Sequence, residues 1–189
     1  PCNHHGKTPP CVDAIIKSGI KKVVYAVSDP NPTAAGGAER LREAGIEVQS
    51  GIGEMQARLE NRAWLTKIEK GRPRITWKIA TTMDGKVTAS DGSSKWITGE
   101  LARADVARMR SQVDGIVTST ATVVADDPAM TSKGVGKNPV RVVMGSGEIA
   151  ANMQILNSEA ETILIKSRNF DDLLALANDR GFNQLLIES

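Results

Sequence analysis

The sequence predicts an α/β protein with parallel strands, and three features of its patterning carry that expectation. Short β-branched, apolar runs of strand length recur at 22–27, 74–80, 114–119, 140–144, 161–166 and 184–187. Segments with helical spacing of apolar residues lie among them, at 12–18, 38–44, 55–69, 99–110 and 170–178. Strand and helix largely alternate, which is the pattern of crossover connections over a sheet covered by helices.

Residues 1–11 are polar and stiffened by Pro9 and Pro10. The helix at 12–18 follows from the stripe Val12, Ile15 and Ile16, with Gly19 ending it. The run KVVYAV at 22–27 is strand-like, and SDPNP at 28–32 reads as a loop. A helix at 38–44 is closed by Gly45 and followed by a short strand at 46–48. The segment 55–69 reads as one helix, with Leu59, Trp64, Leu65 and Ile68 as expected core positions. Gly71, Arg72 and Pro73 then break the chain, so a boundary near 70–74 divides it into domains 1–71 and 72–189.

The second domain opens with the alternating strand RITWKIA at 74–80. A long loop at 81–98 follows, and Thr98 is the expected N-cap of the helix at 99–110. A strand at 114–119, a loop at 122–131, strands at 140–144 and 161–166, a helix at 170–178 and a last strand at 184–187 complete the pattern. Ligands of open α/β sheets bind beyond the carboxyl ends of the strands, so the site is expected there.

Composition narrows the function classes. Of 189 residues, 40% are hydrophobic and 24% charged, ordinary for a globular protein. No apolar run reaches the length of a membrane-spanning helix, so no membrane role is expected. Basic residues number 24 against 22 acidic, and they are not clustered, which argues against nucleic-acid binding. Residues 1–75 carry 12 basic against 8 acidic, a mild excess that suits a phosphorylated small molecule.

Reactive side chains concentrate in PCNHHGKTPPC at 1–11, which holds both cysteines and both histidines. Cys11 precedes a helix, where free backbone N–H groups favour a thiolate. Two thiolates on a proline-stiffened loop suit Zn2+. Two free cysteines and two solvated histidines in a loop are the alternative.

This segment, followed by VDAIIKSGIKKVVYAVSDPNP, resembles the deaminase domain of the bifunctional riboflavin-biosynthesis deaminase/reductase family. The resemblance implies a cytidine-deaminase-like fold in which Cys2 and Cys11 are zinc ligands. It also places His4, Lys7, Asp29 and Asn31 on the ribose-phosphate substrate. Such deaminases use a His-x-Glu segment as third ligand and proton shuttle, and none precedes Cys2 in this sequence. The expectation is therefore a portion of a longer enzyme, without deaminase activity of its own.

The stretches WKIATTMDGKVTA, SSKWIT and ADDP resemble the reductase domain of the same family. That resemblance implies a dihydrofolate-reductase-like fold, NADPH as cofactor, and reduction of the ribosyl chain of 5-amino-6-(5-phosphoribosylamino)uracil. It implies cofactor contacts at Ala80, Thr81, Thr82, Trp96, Thr122, Asp126 and Ser146. Substrate contacts fall on Ser94, Arg110, Met130 and Glu188, with Lys133 in place of the family's arginine. Lys78, Asp84 and Glu188 are each chemically able to act as the general acid. The resemblance implies that the parent enzyme is bifunctional, deaminating 2,5-diamino-6-ribosylamino-4(3H)-pyrimidinone 5′-phosphate with zinc and then reducing the product, as a cytoplasmic homo-oligomer associated through the reductase domain and acting on a phosphorylated pyrimidine. A reductase alone, or a non-catalytic module binding a nucleotide phosphate, are the other readings.

Overall fold

The structure, a computed structural model, describes residues 1–93 and 97–188. It divides into two compact units, Pro1–Gly71 and Arg72–Ser189. Both are α/β with parallel strands, as the patterning predicts.

In the first unit, α1 (Cys11–Lys17) follows Pro10, which is suited to a helix entry because it needs no N–H partner. Strands β1 (Lys22–Tyr25) and β2 (Glu47–Ser50) pair in parallel, joined through a short 3-10 turn at Pro32–Ala34 and α2 (Gly37–Glu43). The small core is Val12, Leu41 and Ile46, with Ile15, Ile16, Val23 and Val48 packed against it.

The expected single helix at 55–69 is two: α3 (Glu54–Glu60) and α4 (Arg62–Lys70). Asn61 breaks it, with ψ at 11° and its side-chain amide donating to the Ala57 carbonyl. An asparagine bonding its own helix backbone competes with helix propagation. Of the four expected core positions only Leu65 is buried, while Leu59, Trp64 and Ile68 are exposed.

The second unit is a five-stranded parallel sheet in the order β3, β7, β4, β5, β6. These strands are β3 (Arg74–Lys78), β4 (Gly115–Ser119), β5 (Val140–Met144), β6 (Thr162–Ile165) and β7 (Gln184–Glu188). Helix α5 (Glu100–Ser111) leads into β4, and α7 (Phe170–Asp179) leads into β7. The N-cap of α5 is Gly99 rather than Thr98, and no side chain caps it. One face of the sheet buries Ile116, Val123, Met130, Val143, Ile155 and Leu186. The other buries Val117, Val142, Leu173, Ala177, Phe182 and Leu185, as alternation along central strands requires.

The expected loop at 122–131 is partly helical, α6 (Thr120–Asp126). The Ser119 hydroxyl accepts the Thr122 N–H and caps it, and Asp127 ends it in the left-handed region at φ 43°. β-Branched Thr120, Thr122, Val123 and Val124 weaken the helical signal in sequence, and the cap overcomes them.

Gly115 fixes how β4 meets β7. A Cβ there would lie 2.8 Å from Leu185 Cδ2 and 3.2 Å from Phe182 Cε2, both in the packed core. Gly115→Ala is expected to cost about 1–3 kcal/mol through overpacking. Urea unfolding measures it; an unchanged midpoint contradicts that packing.

Candidate active site and its neighbours

In the first unit the Cys2 and Cys11 sulfurs are 3.4 Å apart. The Cys11 backbone N–H donates to Cys2 Sγ at 3.5 Å, and this bond, with the Cys11 side chain, holds the Cys2 thiol below its ordinary pKa. The loop is pinned by Arg40, which donates to Asn3 Oδ1 at 2.9 Å and pairs with Asp13 at 2.6 Å. His4 is half-buried with Nδ1 lacking a partner among the described residues, whereas Lys7 is exposed. Asp29 Oδ1 accepts the Asn31 N–H at 2.9 Å, and Asn31 Oδ1 accepts from Thr33, so both shape the turn between β1 and α2. Asp29 and Cys2 nevertheless line one cavity of about 370 Å3 with Trp64.

Two thiols at this spacing can share a zinc ion, since Zn–S bonds are about 2.3 Å. Among the described residues, however, no group of three His, Cys, Asp or Glu side chains converges to hold a metal. The pair supplies two donors of a tetrahedral four and does not close a site.

The second unit carries the larger cavity, about 840 Å3, at the carboxyl end of β3 and beside the start of α6. Ile79, Val87, Val106 and Ala107 give it an apolar wall, and Arg103, Arg110, Lys133 and Asp126 bring charge to it. Those four leave a net positive rim, which favours an anionic ligand. Ala80, Arg110, Thr122, Asp126 and Lys133 of the sequence-derived set line it.

Behind this wall sits a buried charge cluster. Arg110, near the C-terminus of α5, grips Glu188 at the end of β7 with two parallel bonds of 2.8 Å, from Nε and Nη2. Its Nη1 donates to the Thr131 carbonyl at 3.2 Å. Lys78, the register partner of Glu188 on β3, places Nζ 3.5 Å from the same carboxylate. Side-chain exposure is 14% for Arg110, 7% for Glu188 and 25% for Lys78. Two cations on one carboxylate leave one positive charge in excess, and of the three residues only Arg110 lines the cavity; Glu188 and Lys78 lie behind it. A fork of this kind is strong because both oxygens are used and water is excluded.

The other expected residues take different places. Met130 is packed in the core at φ 51° and does not reach the cavity lining. Thr82 spends its hydroxyl on a turn, donating to Asp84 at 2.5 Å and accepting the Lys86 N–H at 2.9 Å. That hydroxyl, with Lys86, holds the Asp84 carboxyl below the usual range, and Asp84 is exposed. Asp84 is thus a turn-forming carboxylate. Thr81 is exposed beside it, and Ser146 is exposed just beyond β5. Ser94 and Trp96 lie outside the described residues. Arg103 escaped the sequence reading; it lines the cavity and donates to the Thr98 carbonyl at 2.5 Å.

The sequence matches the RibD C-terminal domain over residues 73–189. It is 46% identical over 186 residues to the riboflavin biosynthesis protein RibD of Mycobacterium tuberculosis, covering 95% of this chain and 55% of that protein. Against RibD of Aquifex aeolicus the identity is 40% over 192 residues, covering 100% of this chain and 54% of the relative. The chain thus spans about half the length of the curated relatives it matches. The fold is similar to a diaminohydroxyphosphoribosylaminopyrimidine deaminase/5-amino-6-(5-phosphoribosylamino)uracil reductase from Thermotoga maritima, with TM-score 0.89 and 34% identity. That match covers 100% of this chain and 59% of that one. It is also similar to RibD of Acinetobacter baumannii, with TM-score 0.86, 33% identity and coverage of 100% and 60%.

Proposed function

Because the chain belongs to the RibD C-terminal domain family, we propose that its second unit is an NADPH-dependent reductase of a phosphorylated ribosylaminouracil in riboflavin biosynthesis. The observation that carries this reading is the Arg110–Glu188–Lys78 cluster, which reaches an 840 Å3 cavity through Arg110 on its lining. That volume lies within the range of cofactor and ligand pockets, about 300–1,000 Å3. The apolar wall suits a flat nicotinamide or base, and the positive rim suits phosphate.

NADPH, when bound, supplies the hydride for the sugar C1′. The rest falls to side chains of this chain. Arg110 and Lys133 neutralise the substrate phosphate, and Glu188, immobilised by Arg110, accepts hydrogen bonds from base or sugar. Lys78 holds the proton delivered to the ring oxygen as the C1′–O bond breaks and the chain becomes a ribityl group. Ala80, Thr122 and Asp126, on the cavity lining, serve the cofactor side, and Thr81, Thr82, Trp96 and Ser146 are further candidates for it by the family resemblance.

The first unit belongs to the same reading as a deaminase-like portion. Cys2 and Cys11 are candidate zinc thiolates, and His4, Lys7, Asp29 and Asn31 candidate substrate contacts. Two thiolates do not complete a zinc site, so no deamination step is derived for this chain. Homo-oligomerisation through the second unit and a cytoplasmic setting complete the proposal; among the described residues no helix is long and apolar enough to cross a membrane.

The test is consumption of NADPH by the full chain with 5-amino-6-(5-phosphoribosylamino)uracil. The reductase reading expects turnover, unchanged within about twofold after chelator treatment because Arg110 already occupies both Glu188 oxygens. Binding of NADPH without oxidation favours the non-catalytic module, and loss of turnover on chelation contradicts a metal-independent site.

A further inference from the structure

The non-glycine residues with left-handed backbone among those described all fall within one seven-residue strap: Asp127 at φ 43°, Met130 at 51° and Lys133 at 51°. Each costs conformational energy, and strain of this kind persists only where the surroundings over-determine it. The strap begins at the end of α6, beside Asp126, and ends on Lys133; Asp126 and Lys133 both line the cavity. Its Thr131 carbonyl accepts from Arg110, so its shape is coupled to the charge cluster.

What imposes the shape lies outside the cavity lining, in part in Asn138, whose Oδ1 accepts the Ser132 N–H at 2.9 Å, and in part in Arg141. Arg141 on β5 has no exposed surface. Its guanidinium donates to the Ala129 carbonyl at 3.1 Å, within the strap. It also reaches Asn157 Oδ1 at 2.9 Å, the Asn157 carbonyl at 2.6 Å, Gln154 O at 3.4 Å and the Ala160 carbonyl. The acceptors are neutral; Glu159 opposes the effect of burial only at longer range, and burial pulls the Arg141 pKa down. A buried cation without a carboxylate in contact is expensive, so a neutral side chain would fill this position at lower cost. Only a planar fork donates to so many carbonyls at once. A second anchor runs parallel to it, with the Gln154 N–H donating to Asp127 Oδ1 at 2.7 Å and its amide to the Asp127 carbonyl at 2.9 Å.

We propose that Arg141 is a positioning residue of the reductase site: by clamping Ala129 against residues 154–160 it holds the strained strap that presents Lys133, and braces Arg110, toward the substrate phosphate. The proposal rests on the reductase reading for the identity of that phosphate. Arg141 touches no substrate; it acts through the strap. A residue serving only global stability would lower the active fraction, and with it kcat, while leaving KM in place. A strap clamp instead raises KM for the phosphorylated substrate and spares kcat and the KM for NADPH.

Arg141→Lys keeps the charge and loses the fork. In the full chain it is expected to raise substrate KM about tenfold or more, with kcat within about threefold. Amide exchange at residues 129–133 is expected to accelerate by at least about tenfold relative to β4. Asn157→Ala, which removes one acceptor and keeps Arg141, is expected to move both readouts the same way by about two- to threefold. It stands in should Arg141→Lys fail to fold. Calorimetry with ribose 5-phosphate gives the same ranking without turnover. Wild-type binding of that ester, weakened in the variants, in a chain that does not oxidise NADPH therefore overturns the reductase reading while upholding the clamp. Unchanged strap exchange, or a fall in kcat at constant KM, overturns the clamp.

Discussion

Glu188→Gln is expected to reduce kcat/KM of the proposed reductase by at least about 100-fold, equivalent to about 2.7 kcal/mol of transition-state stabilisation. The carboxylate is almost fully buried and accepts two bonds from Arg110 while neutralising part of the Lys78 charge. A glutamine offers one carbonyl oxygen and points an NH2 at a guanidinium donor. One arm of the fork is lost, and two cations, of which Arg110 lines the cavity, remain without a counter-charge. Removing one partner of a buried pair costs about 3–5 kcal/mol of stability. The same variant should therefore unfold at lower urea, and kinetics should be measured where it remains folded. A variant with kcat/KM within about threefold of wild type contradicts a role for this carboxylate.

The second large effect is expected at Arg110, where lysine should fail to substitute. Lysine keeps the charge and cannot make two parallel bonds to Glu188 while also reaching Thr131. Arg110→Lys is expected to raise substrate KM by about 10- to 100-fold, since hydrogen bonds to charged groups contribute about 1.5–3 kcal/mol each. Steady-state kinetics with NADPH saturating and the phosphorylated substrate varied separate this from a loss of turnover. Full rescue by lysine makes Arg110 a simple point charge and removes the geometric argument.

Much of the architecture was legible because parallel α/β units announce themselves as apolar runs separated by Gly-terminated helices. The strands at 22–27, 74–80 and 184–187 appear as β1, β3 and β7 with shifts of a residue or two at their ends. The break at Asn61 was not legible, since the apolar spacing runs straight through it and only the side-chain bond to Ala57 reveals the interruption. Helix α6 was hidden by its β-branched residues, although Ser119 carried a capping signal.

At the site, residue types were readable and partnerships were not. Arg110 and Glu188 are separated by 78 positions, and nothing local to either predicts the fork. Lys78 becomes their neighbour only through the β3–β7 register. Arg141 sits in VRVVM, which patterning reads as an apolar strand, and its carbonyl cage comes from turns 12 to 19 residues away. Met130 resembles a substrate contact in its motif, yet the left-handed turn at that position sends it into the core.

The central claim is hydride transfer at the cavity that Arg110 lines, with Glu188 and Lys78 behind it. It is tested most directly with NADPH deuterated at nicotinamide C4, incubated with the full chain and 5-amino-6-(5-phosphoribosylamino)uracil. The reductase reading predicts a ribityl product carrying one deuterium at C1′, formed in proportion to the NADPH consumed and at a rate lowered at least about 100-fold by Glu188→Gln. A product without deuterium at C1′, or deuterium transfer that Glu188→Gln leaves untouched, contradicts it.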